Sequence, residues 1–141
     1  MADDYDDEDD RDEAAEGGSR ADHAAVASFV LTMLHAATVA HVMHLKARRY
    51  AEHEALGGLY EGLPGLVDRY AETYQGRYGL MTAYPSGFRM PTGSATAEIA
   101  ALDGYLADVR EELPEDEDLC NIFDEITALV ASTLYKLRFL K

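Results

Sequence analysis

Three of the chain's five histidines fall within the stretch AHVMHLKARRYAEHEAL, residues 40–56. His41 and His44 are three apart, so on a helix they occupy adjacent turns of one face. His53 opens the next segment. Further along, Asp68 and Glu72 are four apart, again on one helical face, beside that segment's apolar positions. Imidazole nitrogen combined with carboxylate oxygen suits Fe(II), with positions left open for an oxidant, and it also suits zinc. Taken singly, each group has an ordinary reading: a hydrogen-bonded neutral imidazole, or an acid on the solvated edge of a core stripe. A di-iron centre built inside one helical bundle needs Glu-x-x-His on two of its helices, and the chain contains no Glu-x-x-His. A site using these residues must combine them differently.

The elements that carry them read as helices from their apolar spacing. The first, roughly 22–46, places Val26, Phe29, Val30, Met33, Leu34, Ala37 and Ala40 at steps of three and four, and extends to His41 and His44. The second, roughly 49–75, carries Leu56, Tyr60, Leu63, Val67, Tyr70 and Tyr74. A third, roughly 94–112, runs through Ile99, Leu102, Leu106 and Val109, with Ser94 and Glu98 as its start signal. The fourth, 114–140, opens on Pro114 and four acids and ends among Lys136, Arg138 and Lys141, the signs that a helix dipole favours at each end. No strand-like alternation of useful length interrupts them, so the expected class is all-α. Gly57, Gly58, Gly62, Pro64 and Gly65 crowd the second helix, and a kink or local break is expected near 62–64.

The connections bear on topology. Segments one and two meet at 46–49 and segments three and four at Pro114, whereas residues 76–93 form a linker with glycines and two prolines. Eighteen extended residues reach about 60 Å, and a helix of 26 residues is about 39 Å long. That linker can therefore run the length of a bundle and leave helices two and three parallel, the ferritin-like four-helix connection with a long crossover.

Composition sets the outer bounds. Residues 1–22 hold eleven acids against two arginines and contain no Leu, Ile or Val, so a disordered acidic tail is expected there. The remainder, 23–141, is expected to fold as one domain. It still carries sixteen acids against ten bases within a total net charge of −15. That balance opposes phosphate neutralisation, so no direct nucleic-acid partner is expected. No run approaches bilayer-spanning length and no apolar leader is visible, so a cytoplasmic, membrane-free chain is expected. Cys120, the only cysteine, excludes an internal disulfide and a thiolate zinc site within one chain.

The order His41, His53 twelve later, Asp68 fifteen later and Glu72 four later resembles the ferroxidase signature of the Dps-like mini-ferritins, in residue type and in spacing. HEALGGLY after the second His, and the closing DLCNIFDEITALVASTLYKLRFL, are similar to the same family's text. The HAATVAHVMHLKARRYAEHEAL run also resembles small phage-encoded proteins of Dps-like type. The resemblance implies a metal site between two subunits related by a two-fold axis, with His41 and His53 from one and Asp68 and Glu72 from the other. It further implies iron as the metal, Fe(II) oxidation with peroxide or dioxygen, and self-association as a dimer or a dodecameric shell. His44 has no counterpart in that signature and is expected to pack beside the site. The alternative expectation is a ferritin-like structural or assembly protein without the chemistry, such as a phage virion component.

Overall fold

A computed structural model describes residues 20–141. Among them every regular element is helical: α1 (Arg20–Lys46), α2 (Tyr50–Tyr78), α3 (Ala95–Val109) with a single 3-10 turn at Arg110–Glu112, and α4 (Glu117–Phe139). The acidic tail expected over 1–22 lies outside the described residues as far as Ser19. Residues 20–22 already belong to the first turn of α1.

The apolar stripes do the packing. Val26, Phe29, Val30, Met33, Ala37 and Ala40 of α1 are buried against Leu56, Leu59, Leu63, Val67, Tyr70 and Tyr74 of α2. Each large side chain so buried is worth about 1.5–3 kcal/mol. Phe29 meets the edge of Tyr70 at 5.1 Å and tilts against Phe123 of α4 at 5.6 Å, tying three helices at one level. Leu34, expected in the stripe, is 40% exposed, because it follows Met33 by one residue and so turns about 100° away from the core.

Two further expectations need correction. Helix α1 does reach bilayer-spanning length and hydropathy over Asp22–Lys46, where only its ends are charged. Its buried half is the core face just described, a pattern that the central helix of a packed domain shares with a membrane span. The anticipated break in α2 does not occur: the helix is continuous from Tyr50 to Tyr78 with Pro64 inside it. Pro64 removes one backbone donor, leaving the Tyr60 carbonyl without its usual partner. Leu63 and Val67, both fully buried, hold the helix on either side of that gap.

The start of α3 is as expected, with the Ser94 hydroxyl accepting from the Ala97 N–H at 3.2 Å. Helix α4 begins three residues later than Pro114 suggested, at Glu117. Asp116 precedes it but makes no side-chain cap, because its carboxylate accepts the Tyr78 hydroxyl at 2.6 Å.

Helix α1 packs on α2, α2 on α4 and α4 on α3, while α3 touches α1 more thinly. Arg69 pairs with Glu125, Arg77 with Asp118, and Gly62 lies beside Leu129, so α2 and α4 are antiparallel. The linker, residues 79–94, leaves the end of α2 and delivers Ser94 and Ala95 beside Met43, Lys46 and Glu52 at the opposite end. Met81 is buried on the way, its N–H held by the Gln75 side chain at 2.9 Å, and Phe88 sits edge-on to His35. Helices α2 and α3 consequently run in the same direction, and α1 and α4 run against them.

Candidate metal centre

The turn between α1 and α2 is three residues long, which brings the end of one helix against the start of the other. Across that junction His44 and His53 stack, with ring centroids 3.6 Å apart and planes 24° from parallel. The His44 Nδ1–H donates to the His53 carbonyl oxygen at 2.7 Å, and the His53 Nδ1–H donates to the His44 carbonyl oxygen at 3.0 Å. A carbonyl can only accept, so each neutral ring carries its proton on Nδ1 and keeps its lone pair on Nε2. The His44 carbonyl belongs to the last turn of α1, where it accepts from the Ala47 N–H at 3.2 Å and takes a second donor from His53.

This clasp explains a glycine. A Cβ at Gly57 would lie 3.2 Å from both Cε1 and Nδ1 of His44. Gly57 stands one turn beyond His53, on the face the His44 ring must occupy to reach the His53 carbonyl. A second glycine has a similar cause, since a Cβ at Gly62 would meet Leu129 of α4 at 3.1 Å. Gly58 and Gly65 have nothing within 4 Å of that position and are open to solvent.

His41 is exposed and lies flat on the ring of Tyr60, with centroids 3.9 Å apart and planes 9° from parallel. Its ring centroid is 6.3 Å from that of His44, and Tyr60 also meets His44 edge-on at 5.1 Å. His41, His44, His53 and Tyr60 thus form one contiguous aromatic cluster on the α1–α2 junction. His44 lies between His41 and His53 in this cluster, stacked on His53. The usable signal was His44 and His53 flanking a short turn, followed by a helix-interior glycine four residues after His53.

Asp68 and Glu72 share the outward flank of α2, both exposed, and no ion pair among the described residues engages either. Along the helix they lie about 22 Å and about 28 Å from His53. One chain therefore does not bring the two imidazoles and the two carboxylates together. Among the described residues no group of three His, Cys, Asp or Glu side chains in a single chain is arranged to hold a metal ion. His23 meets Tyr74 edge-on at the far end of the molecule, and His35 contacts Phe88, so neither joins the cluster. Cys120 points its thiol toward the Pro114 carbonyl at 3.8 Å, well away from it.

The charges that are paired lie elsewhere. Arg77 donates to Asp118 and holds that carboxyl below the usual carboxylate range. The Asp116 carboxylate, accepting from Tyr78, raises the phenol's pKa, as burial does for Tyr70 and Tyr105. The Arg77 and Tyr78 contacts fasten α4 to α2, and at the α1–α2 junction Arg49 pairs with Glu52.

No curated protein and no solved structure matches the chain. A family model does match, over residues 44–137, a span that begins at His44, takes in His53, Asp68 and Glu72, and leaves His41 outside. It covers about two thirds of the sequence, and the chain accordingly belongs to that family, which is described as one of unknown function (DUF5856).

Proposed function

We propose that the chain is a ferritin-like, Dps-like ferroxidase whose site is completed by a second copy. His41 and His53 of one copy and Asp68 and Glu72 of the other bind Fe(II) as substrate. The observation that carries this reading is the spacing of residues along α2. His53 and the acid pair lie at nearly equal distances on either side of the Gly58–Gly65 interval. A second α2 laid antiparallel, with its two-fold axis between Glu61 and Gly62, sets Gly58 against the partner's Gly65. The same register sets His53 level with the interval between the partner's Asp68 and the partner's Glu72. Glycines with open Cβ positions favour the close backbone approach such a pairing needs. They also account for two helix-interior glycines that packing within the chain leaves unexplained. A two-fold pairing repeats itself, so each dimer has two equivalent sites.

The clasp contributes the ligand chemistry. With its proton held on Nδ1 by the His44 carbonyl, His53 keeps its lone pair on Nε2, the tautomer arrangement that metal-binding histidines commonly use. Exposed carboxylates without cationic partners are hard oxygen donors suited to Fe(II) and Fe(III). In the reaction two Fe(II) each give up one electron, the O–O bond of hydrogen peroxide breaks, and two hydroxide ions form. The long return of residues 79–94 between parallel α2 and α3 supports the ferritin-like connectivity that this reading requires. Direct nucleic-acid binding is not part of it, given the net charge of −15.

The test uses complementation between subunits. Fe(II) with peroxide is added to the protein, and the ferric absorbance is followed. His53→Ala alone and Asp68→Ala/Glu72→Ala alone are each expected to lose the rapid phase. Subunits of the two variants, unfolded, mixed and refolded together, are expected to recover about a quarter of the parent's sites by random reassortment. Variants as fast as the parent sink the reading, and a mixture no faster than its components removes the inter-subunit site. A structural helical module without iron chemistry is the second reading. It is favoured by the clasp itself, which already gives His44 and His53 a role in joining α1 to α2.

A further inference from the structure

The two ends of the molecule differ in charge. At one end lie Lys46, Arg48 and Arg49 of the α1–α2 turn. The α2–α4 register (Arg77 with Asp118, Arg69 with Glu125, Gly62 with Leu129) brings the end of α4 to the same place, adding Lys136, Arg138 and Lys141. At the opposite end lie Glu111, Glu112, Glu115 and Glu117, all exposed. The ion pairs among the described residues engage Arg49 but none of the other five bases, and none of those four acids. Exposed bases thus gather at one end of the described molecule and exposed acids at the other.

Shape and apolar surface follow the same division. The basic end exposes Leu45 and Tyr50 at 70% and 77%, and Phe139 at 70%. Phe139 packs against Tyr135 at 5.6 Å, forming an aromatic pair on the last turn of α4. The acidic end is concave: a cavity of about 400 Å³ lies between the ends of α2 and α3 and the start of α4. Tyr74, Tyr78, Leu113 and Pro114 line it together with the carboxylates of Asp22, Glu111, Glu112, Glu115 and Asp116. A projecting aromatic flanked by bases and a hollow lined by acids are complementary in charge.

We propose that the end of α4, led by Phe139, docks into the acidic cavity at the opposite end of a second copy of this chain. The contact is head-to-tail and uses neither the α2 flank nor its histidines, so it stands independently of the iron reading. Screening over about 8 Å at physiological salt lets these local patches govern the approach despite the net charge of each chain. Repeated head-to-tail contacts close a ring or shell when the rotation between copies permits and otherwise extend. An anionic lipid surface is the competing occupant for a basic, aromatic patch, but it leaves the acidic cavity without a role.

The test is carbodiimide cross-linking, which joins lysine amines to nearby carboxylates, on an equal mixture of 14N and 15N full-length chains at low salt. Mixed-isotope links are expected from Lys136 or Lys141 to Glu111, Glu112, Glu115 or Glu117, falling roughly tenfold in 0.5 M NaCl. Phe139→Asp and the triple change Lys136→Glu/Arg138→Glu/Lys141→Glu are expected to lose these links and, by light scattering, all association beyond the two-fold α2 pair, while keeping the parent's helical circular dichroism. Adding Glu111→Lys/Glu112→Lys/Glu115→Lys to the triple variant is expected to restore it. Links confined to single chains, links from these lysines to other acids, or no links overturn the proposal. So does co-sedimentation with phosphatidylserine vesicles by a chain that forms no such links.

Discussion

The two halves of the proposed site lie on one helix and are built in opposite ways. At the start of α2, His53 is held by a stacked ring, by a hydrogen bond to the end of α1 and by the space a glycine leaves. Toward the other end, Asp68 and Glu72 stand in solvent beside Gly65, with no ion pair to orient them. The first half has its geometry within a single chain. The second acquires a defined geometry only from whatever covers it. If the proposed site forms, it is inactive until two copies meet, and its metal affinity and rate then depend on association.

Breaking the clasped half has the largest expected effect. Gly57→Leu drives a side chain into the His44 ring and is expected to cost about 1–3 kcal/mol. In a domain of this size that lowers the melting temperature by roughly 4 °C per kcal/mol, measurable by thermal circular dichroism. Removing either ring is the next test. His44→Ala and His53→Ala are each expected to cost about 1 kcal/mol from one lost hydrogen bond, plus the lost ring stack. Their double variant should cost less than the sum, since both remove the same stack. In the parent, 15N spectra of the imidazoles should show His44 and His53 as Nδ1–H tautomers and His41 without that constraint. If all three rings show the Nε2–H form, the clasp is absent in solution.

The open half responds with the opposite sign. Gly65→Ala fills empty space in a helix interior and is expected to stabilise the isolated chain by about 0.5–1 kcal/mol. The same methyl group obstructs the close approach proposed for two α2 helices, so sedimentation should show weaker dimerisation. A variant both more stable and equally associated would move the interface off this flank. The smallest expected effect is on pH dependence. The Asp118 carboxyl titrates below its unfolded value because of Arg77. Its contribution is therefore complete above the ordinary carboxylate range and is lost as pH falls through the lowered value. Asp118→Asn should flatten the acid limb of a stability–pH curve only slightly, because this pair is solvent-exposed.

Much of this arrangement was legible in advance, and the reasons are local. The helix stripes were readable because burial repeats every three to four residues, and Ser94 marked the start of α3 because its hydroxyl satisfies a nearby N–H. Leu34, Pro64 and Pro114 misled for equally physical reasons. A stripe read by eye admits a residue 100° off axis, buried neighbours carry a helix through a proline, and Asp116 answers to Tyr78 on another helix before it can cap its own. His44 was undervalued because its partner is a backbone carbonyl nine residues away, and carbonyls leave no mark in a sequence.

The sequence by itself determined the helical class and the acidic balance. Those follow from side-chain chemistry and from periodicity, which act over a few residues. Only the tertiary structure decided that His44 and His53 clasp one another and that Gly57 and Gly62 serve contacts inside the chain while Gly58 and Gly65 do not. It likewise decided that exposed bases and exposed acids gather at opposite ends. Those outcomes depend on which helix lies beside which, and at what register, a relation between distant residues that local spacing does not encode.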